Sequence, residues 1–449
     1  MAIDELHKAW AKLDQLETQE RYLVERLSDI RKAIKAQKIK ISDLGPPAIN
    51  RLPTELLSQI FTFCIPDPKF PEKPLHRIVS VSRRWRDVVW NDPSFWTSIK
   101  VTPSQDKKLL KKQLKRSLHD AYVKLYVFLD AIVPHANRWR SLIISDRLDA
   151  EPVQSILLKI NHLSVPFLRE FSIDIWGDFD YLPCPDFLSP THTPALEYLT
   201  LKPSFRLDSF VALPTLKALD LSFPYVNDPP PVMSMLTPAH SLTSLVLDGD
   251  SEGWSFKKND LHYPLLEKLT LYVDEPVPFL AAIVAPKLRY VQCQILDSME
   301  FDTIEGKFRD VHDLSLIFSY QVEDRSREPL CRAFPGVRRV HVAVWDASFL
   351  MTSIHCSGVL GERPPIDQFL NLETVIIESL HRRWLECWEL GDDPIVKWLR
   401  GRQESGLSRL RVRLSPVHVG EDWAKASIYY ALLRKHCDLE IFTSNVVTW

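Results

Sequence analysis

The spacing of apolar residues changes twice along the chain and divides it into three parts. At the start, apolar side chains recur every three or four residues among charged ones, which predicts an amphipathic helix. From Trp96 onwards, short runs with apolar residues at i, i+3 and i+5 recur between proline-marked loops, and these runs predict strands. The chain is therefore predicted to be mainly α/β, with a coiled-coil-like helix over residues 1–45, a small all-α module over 46–101 and a repeat body over 102–449.

The apolar stripe of the N-terminal helix is short and imperfect. It contains Ile3, Leu6, Trp10 and Leu13, and after an offset Leu16, Leu23, Leu27, Ile30 and Ile34. Glu20 and Gln37 interrupt the same register, and we expect the helix to end at Gly45-Pro46-Pro47, because proline cannot continue a helix. Two interpretations stay open: an arm that forms a homodimer through residues 3–41, and a lone helix that is solvated or packed on the body.

Residues 49–101 carry the most specific signal in the chain. Pro53 suits the first position of a helix, and Glu55 suits the first turn, where a carboxylate complements the helix dipole. The apolar residues that line one face of this helix are Leu52, Leu56, Ile60 and Phe61. After a proline-rich spacer, a second helix is predicted from Leu75 to Trp90.

The two helices resemble the halves of an F-box, in which Leu-Pro-x-Glu-Leu-Leu-x-x-Ile-Phe precedes a spacer, a Val-Ser-x-x-Trp-Arg core and a terminal Trp. The matching residues are Leu52, Pro53, Glu55, Leu56, Leu57, Ile60, Phe61, Val81, Ser82, Arg84, Trp85, Arg86 and Trp96. The spacer between Ile65 and Leu75 is longer than in compact versions of the motif, as is common in fungal F-box proteins. The resemblance implies a three-helix module that binds the Skp adaptor of SCF ubiquitin ligases, and through it a cullin scaffold.

The implied adaptor-binding surface is apolar at its centre and charged at its rim. Such a small module cannot bury an apolar face of this size by itself, and a partner could use it as a hot spot. The expected adaptor-binding residues are Leu52, Pro53, Glu55, Leu56, Leu57, Ile60, Phe61, Val81 and Trp85. For Trp85 and Trp96, packing where the module meets the repeats is an equally good interpretation.

The i, i+3, i+5 motif occurs twelve times in the rest of the chain. Its first positions are Trp96, Trp139, Leu168, Leu196, Leu216, Leu242, Leu266, Leu288, Val311, Val337, Leu372 and Leu407. The steps from Leu168 to Val337 are 20 to 28 residues long, and the motif resembles a degenerate leucine-rich repeat. The resemblance implies a solenoid with a curved parallel sheet, since one repeat cannot bury its apolar side alone.

Several segments between the motifs are predicted to be helical. They are Asp106–Val133, Pro152–Leu163 and Asp392–Arg402. A further helix over Asp422–His436, followed by Leu439-Glu440-Ile441-Phe442, is expected to cap the last repeat.

The polar positions of the motifs become basic towards the C-terminus and predict a surface for a protein substrate. We expect this surface to contain Arg289, Tyr290, Arg338, Arg339, His341, Trp345, Arg409, Arg411 and Arg413. Arginines in this arrangement suit acidic or phosphorylated segments. A solvated charged face that binds nothing is an equally good interpretation.

Composition narrows the choice of partner and compartment. The formal net charge of −2 gives no global signal for nucleic acid, and the lysines of the 107–116 segment alternate with leucines as on a solvated amphipathic helix. The chain has 7 scattered cysteines, no apolar run long enough to span a membrane and no secretory signal at its start. These features predict a protein of the cytoplasm, the nucleus or both that is not secreted and does not bind membranes.

No catalytic, cofactor or metal motif is present. Gly401 and Gly406 have P-loop spacing, but Leu407 occupies the position of the phosphate-binding lysine. His355 and Cys356 are adjacent, whereas a nucleophile and its base normally come from separate elements. The sequence therefore predicts a non-enzymatic substrate-recognition adaptor of an SCF-type ubiquitin ligase. The alternative is a repeat scaffold outside any ligase that dimerises through its N-terminal helix.

Overall fold

A computed structural model of the 449-residue chain separates it into two compact units, residues 1–96 and 97–449. The structure describes residues 2–43, 49, 52–64, 72–92, 98–101, 133–145, 150–174, 182–202, 205–207, 210–223, 232–295, 300–318, 327–344, 346–352, 364–380, 393–416 and 427–442. The predicted elements and residues that lie outside these ranges include Gly45-Pro46-Pro47, Trp96, residues 106–132 of the Asp106–Val133 helix, Trp345, the His355-Cys356 pair and residues 422–426 of the cap.

The first unit is helical in its described residues. Its helices are α1 (Ala2–Asp43), α2 (Thr54–Phe63), α3 (Glu72–Val81) and α4 (Arg83–Asn91). Helices α2 to α4 share a small apolar core formed by Leu57, Phe61, Ile78, Val88 and Val89. The single helix predicted from Leu75 to Trp90 is instead two helices, because Ser82 adopts an extended conformation and caps the start of α4.

The second unit is built on one parallel sheet of thirteen strands. The strands are β1 (Ser98–Val101), β2 (Ser141–Ser145), β3 (Glu170–Asp174), β5 (Tyr198–Lys202), β7 (Ala218–Phe223), β8 (Ser244–Gly249), β10 (Lys268–Val273), β12 (Tyr290–Ile295), β13 (Asp313–Phe318), β14 (Arg339–Ala343), β15 (Thr374–Leu380), β16 (Arg411–Pro416) and β17 (Asp438–Ile441). They lie side by side in chain order, so each crossover joins neighbouring strands. Four two-residue strands form two further ladders: β4 (Leu182–Pro183) with β6 (Phe205–Arg206), and β9 (Leu261–His262) with β11 (Ile283–Val284).

The predicted motifs locate the strands. In eleven of the twelve, the strand begins two residues after the first motif position. In the motif at Leu407, β16 begins four residues after that position, and Val412 pairs with Val375. The predicted register of this motif was therefore wrong by two residues. Leu410, Val412 and Leu414 are all buried, so the apolar residues alone did not determine which of them begins the buried row of the strand.

The core of the second unit lies on one face of the sheet. Alternate strand residues such as Leu245, Leu269 and Val291 are fully buried there, which follows from the two-residue period of a strand. The helices of this unit are α5 (Ala150–Ile160), α6 (Val232–Leu236), α7 (Pro276–Ala282), α8 (Arg327–Ala333), α9 (Ala347–Met351), α10 (Pro394–Glu404) and α11 (Ile428–Leu433), with 3-10 turns at Val133–Arg138, Phe301–Ile304 and Pro365–Gln368.

Helices α5 and α10 fall within two or three residues of the predicted bounds, and in the described residues 427–436 of the predicted cap α11 covers Ile428–Leu433. None of the helices in the described ranges has both the length and the apolar character required to cross a bilayer.

Candidate functional site

Helix α2 has apolar residues on two faces that serve different purposes. Leu57 and Phe61, one turn apart, are 0% and 1% exposed and form the centre of the module's core. Leu56, Ile60 and Phe63 lie on another face at i, i+4 and i+7, and they are 45%, 38% and 86% exposed. The second set is an unpartnered apolar row in the described residues. We call Leu56, Ile60 and Phe63 the α2 row.

The predicted adaptor-binding residues divide into three groups by burial. Pro53 and Glu55 are exposed beside the α2 row, and Val81 is exposed at the end of α3. Leu52 and Trp85 are half-buried against the core. Leu57 and Phe61 hold the module together from inside and offer no surface to a partner.

Sequence reasoning missed Phe63. The signal was present, because Phe63 continues the spacing of Leu56 and Ile60 along one helix face.

Polar contacts fix the two halves of the module against each other. The guanidinium of Arg84 donates to the carbonyl oxygen of Leu52, and the hydroxyl of Ser58 donates to the carboxylate of Asp92. The Ser82 hydroxyl accepts a hydrogen bond from the backbone N–H of Trp85 at 3.1 Å and caps α4. The contacts of Arg84 and Ser58 join the segment of α2 to the segment of α4 across the proline-rich spacer, and the α2 row lies on this joined element.

A second candidate surface is the sheet face opposite the core, which we call the polar face. Its central row is formed by paired residues of neighbouring strands: Ser172, Thr200, Asp220, Val246, Thr270, Gln292, Ser315, His341, Ile376, Arg413 and Glu440. Arg339 and Arg411 lie two residues before this row on their strands, as does Tyr290 on β12. Arg289, Arg338 and Arg409 directly precede the strands or lie near their starts. The structure thus brings the predicted substrate residues that it describes to one face and edge of the sheet.

Most of the predicted arginines already have a carboxylate partner on a neighbouring repeat. Arg339 makes a two-pronged contact with Asp313 of β13, in which Nη2 donates to Oδ2 at 2.7 Å. The other pairs are Arg338 with Glu373 at 3.8 Å, Arg409 with Asp438 at 3.0 Å and Arg413 with Glu440 at 3.0 Å. An acidic ligand would have to compete with these carboxylates. Arg289 and Arg411 make no ion pair with any carboxylate that the structure describes.

The rings of Tyr290 and His341 meet on the polar face. Tyr290 donates its hydroxyl hydrogen to Oε1 of Gln292 at 2.9 Å, and its ring meets that of His341 edge-on with centroids 6.4 Å apart. Burial raises the pKa of Tyr290 to about 12, so the phenol stays protonated at neutral pH. Nδ1 of His341 lies 3.7 Å from Oε1 of Glu378. This cluster can donate and accept hydrogen bonds and can stack on an aromatic or planar group.

Acidic side chains of the polar face cluster towards its N-terminal strands. Towards the N-terminal strands, Lys202 pairs with Asp220 at 2.9 Å, and Asp248 and Asp174 lie close by. Burial is the main cause that raises the pKa values of Asp220 and Asp248, and the positive charge of Lys202 opposes it. The predicted substrate arginines from Arg338 to Arg413 lie on or just before β14 and β16, and four of the five pair with a carboxylate.

The described residues contain no group of three or more His, Cys, Asp or Glu side chains that could hold a metal ion. None of the curated proteins compared with this chain matches it. Residues 49–102 match a family model described as F-box-like, and this range contains α2, α3 and α4. The chain therefore contains an F-box-like domain at residues 49–102, with the α2 row on its surface.

Proposed function

We propose that this chain is a substrate-recognition subunit of an SCF-type ubiquitin ligase. In this role the F-box-like domain binds a Skp-type adaptor, and through it a cullin scaffold, while the parallel sheet holds a target protein. The chain itself performs no chemistry and acts by holding the target near a ubiquitin donor, which is catalysis by proximity. The observation that carries the proposal is the α2 row within a segment that matches the F-box-like family.

The α2 row has the properties of a docking hot spot. Its aliphatic and aromatic side chains are exposed on a helix whose neighbouring face, with Leu57 and Phe61, is buried in a core, so binding orders little. Glu55 and Pro53 lie at its rim. Val81 on α3 extends the same kind of surface, since it is 61% exposed.

The sheet supports a leucine-rich-repeat type of target-binding body. Thirteen parallel strands in chain order, which from β2 onwards are each preceded by a buried apolar residue, are typical of stacked repeats with a continuous core. We propose that the target binds the polar face over β14 to β16, where Arg411 pairs with no carboxylate that the structure describes, and that the Tyr290–His341 cluster of β12 and β14 adds hydrogen-bonding groups. Acidic or phosphorylated segments fit this chemistry.

The decisive experiment is co-expression with a Skp-type adaptor followed by size-exclusion chromatography. We expect the wild-type chain to co-elute with the adaptor, and the Leu56→Asp/Ile60→Asp variant to elute alone. Leu158 and Leu370 of the second unit are also exposed leucines, so Leu158→Asp/Leu370→Asp is the matched control that keeps the complex. A folded wild-type chain that never co-elutes would overturn the adaptor role and favour a repeat scaffold outside any ligase.

The target surface needs a separate measurement. Fluorescence polarisation with a library of acidic and phosphorylated peptides is expected to identify ligands whose affinity falls at least tenfold in Arg411→Glu, since a charged contact is lost and repulsion replaces it. Adaptor co-elution should stay unchanged in this variant. If Arg411→Glu and Arg339→Glu bind every peptide as the wild type does, the polar face over β14 to β16 is a solvated surface.

We also propose residence in the cytoplasm or the nucleus. Cys64, Cys184, Cys293, Cys331 and Cys437 are free thiols, which suits a reducing compartment.

A further inference from the structure

Helix α1 presents an apolar seam that no other described residue covers. All its described side chains from Glu5 to Lys40 are exposed. In a heptad register, the a positions are Leu6, Leu13, Glu20, Leu27 and Ile34, and the d positions are Ala9, Leu16, Leu23, Ile30 and Gln37. The seven large apolar residues of this seam are 44% to 60% exposed. The seam runs from Leu6 to Gln37, over more than four heptads, with Glu20 and Gln37 as its two polar positions; that length suits a coiled coil, and its apolar residues are unfavourable if left in water.

The charges of α1 are distributed unequally along its length. Residues 2–22 contain five Asp or Glu and three Lys or Arg, a net charge of −2. Residues 23–43 contain three Asp or Glu and six Lys or Arg, a net charge of +3. An antiparallel second copy of α1 would place each acidic half against a basic half. A parallel copy would place halves of the same charge against each other.

We infer that α1 binds the α1 of a second copy of this chain in an antiparallel coiled coil. In the register that overlaps the two helices almost completely, each a residue meets a d residue of the other copy, so that Leu13 opposes Ile30 and Leu16 opposes Leu27. Glu20 then opposes Leu23 of the second copy. In a parallel dimer Glu20 would face Glu20 of the second copy inside the seam, and two carboxylates in contact are strongly disfavoured.

The positions that flank the seam favour the same orientation. In the antiparallel register Glu5 lies beside Lys40 of the second copy, and Trp10 lies beside Arg31 of the second copy, which allows an ion pair and a cation–π contact. A parallel dimer would instead place Arg26 beside Arg31 of the second copy. The antiparallel register contains no like-charged pair among these flanking positions.

The arrangement has a consequence for the F-box-like domains. A helix of 42 residues is about 60 Å long at 1.5 Å per residue. Because the domain follows the C-terminal end of α1, an antiparallel pair places its two F-box-like domains at opposite ends of the coiled coil. The inference is independent of the proposed ligase role, since it uses neither the α2 row nor the polar face.

The first test is multi-angle light scattering on the full chain at micromolar concentrations. We expect a mass of twice 52.0 kDa for the wild type and 52.0 kDa for Leu23→Asp/Leu27→Asp. Tyr22 and Ile39 are exposed apolar residues outside the seam, so Tyr22→Asp/Ile39→Asp is a control with the same added charge that stays dimeric. A monomeric wild type, or a dimer that survives Leu23→Asp/Leu27→Asp, would overturn the inference.

The second test determines the orientation. The photo-crosslinker benzoylphenylalanine is placed at position 10 of one isotopically labelled copy, which is mixed with unlabelled full chain so that crosslinks between copies are distinguished by mass. We expect crosslinks to residues 27–38 of the second copy. Crosslinks between copies to residues 3–17 would indicate a parallel dimer and refute the antiparallel arrangement. Neither readout involves a ligase component, so the adaptor proposal and this inference can fail separately.

Discussion

The rings of Phe61 on α2 and Trp85 on α4 pack with centroids 4.7 Å apart and planes inclined by 50°. Phe61 is fully buried and Trp85 half-buried, so the pair closes the small core of the F-box-like domain on one side. It also joins the two halves of the motif, which the chain separates by the proline-rich spacer. The domain's stability therefore depends on a contact between its two helical halves, whereas its proposed docking surface depends on other residues of α2.

Alanine at Phe61 is predicted to lower the stability of the domain, whereas alanine at Phe63 is predicted to weaken adaptor binding. Phe61→Ala should lower the free energy of unfolding of the domain by about 3–5 kcal/mol, because it empties a buried site. Phe63→Ala should change it by less than about 0.5 kcal/mol but weaken adaptor binding by at least about fivefold, because the side chain is exposed in the α2 row. Hydrogen exchange measures the first effect and titration calorimetry with the adaptor the second. Equal effects of the two variants on stability would contradict this division.

The buried ion pair between Arg402 and Asp367 is predicted to contribute more to the stability of the second unit than exposed ion pairs do. The two side chains are 9% and 5% exposed, and Asp367 also accepts from Nε1 of Trp398 at 3.1 Å. Asp367→Ala should destabilise the second unit by about 3–5 kcal/mol, because it leaves the Arg402 guanidinium buried without its partner.

The matched control for this prediction is the exposed pair of Arg332 and Asp302, whose side chains are 41% and 65% exposed. Asp302→Ala should cost at most about 1 kcal/mol, since solvent screens the pair and Arg332 keeps other carboxylates nearby. Urea denaturation followed by circular dichroism compares the two variants. Similar losses in both would show that burial does not control the strength of the Arg402 pair.

Substitution of Gly249 and of Gly401 by alanine is predicted to change the free energy of unfolding in opposite directions. Gly249 ends β8 with φ of 109°, and a Cβ there would lie 2.0 Å from the carbonyl oxygen of Phe223 on β7. Gly249→Ala should therefore lower the free energy of unfolding by more than about 2 kcal/mol. Gly401 lies inside α10 with open space around its Cβ position, so Gly401→Ala should raise it by about 0.5–1 kcal/mol. Urea midpoints measure both, and a stabilising Gly249→Ala would disprove the clash.

Lys307 is predicted to be unusually reactive towards acylating reagents near neutral pH. Its amine is half-buried, donates to the carbonyl oxygen of Ala281 and lies 5.8 Å from the ring centroid of Phe308, in a surface cavity of about 460 Å³. Burial, and then the positive charge of Lys258, lower its pKa to about 8. The neutral, reactive amine should therefore accumulate as pH rises through 8, well below the range of ordinary lysines.

Mass spectrometry after brief acetylation at a series of pH values tests this prediction. The labelling midpoint at Lys307 should lie near 8 and rise in Lys258→Met, because removal of a like charge favours the protonated amine. A midpoint that Lys258→Met leaves unmoved would show that the neighbouring charge has no effect on Lys307.

The sequence by itself located twelve of the thirteen strands of the main sheet, eleven of them in the right register, and the helical halves of the F-box-like domain. Strand positions could be predicted because a shift of one residue would turn every apolar side chain to the wrong face, so the motif allows one register. At Leu407 the predicted register was off by two residues, and a shift of two keeps side chains on the same face. Leu410, Val412 and Leu414 all lie on that face, so only the pairing of Val412 with Val375 of β15 selected the register.

Only the tertiary structure decided which apolar residues of α2 are core and which are surface. Five apolar residues in its ten positions surround much of the helix, so periodicity alone could not separate Leu57 and Phe61 from Leu56, Ile60 and Phe63. The partners of the polar-face arginines were equally hidden, because Arg339 and Asp313 are 26 residues apart and meet only when β13 and β14 pair. Local spacing fixes the elements of this protein, whereas contacts between distant residues fix which side chains remain available to a partner.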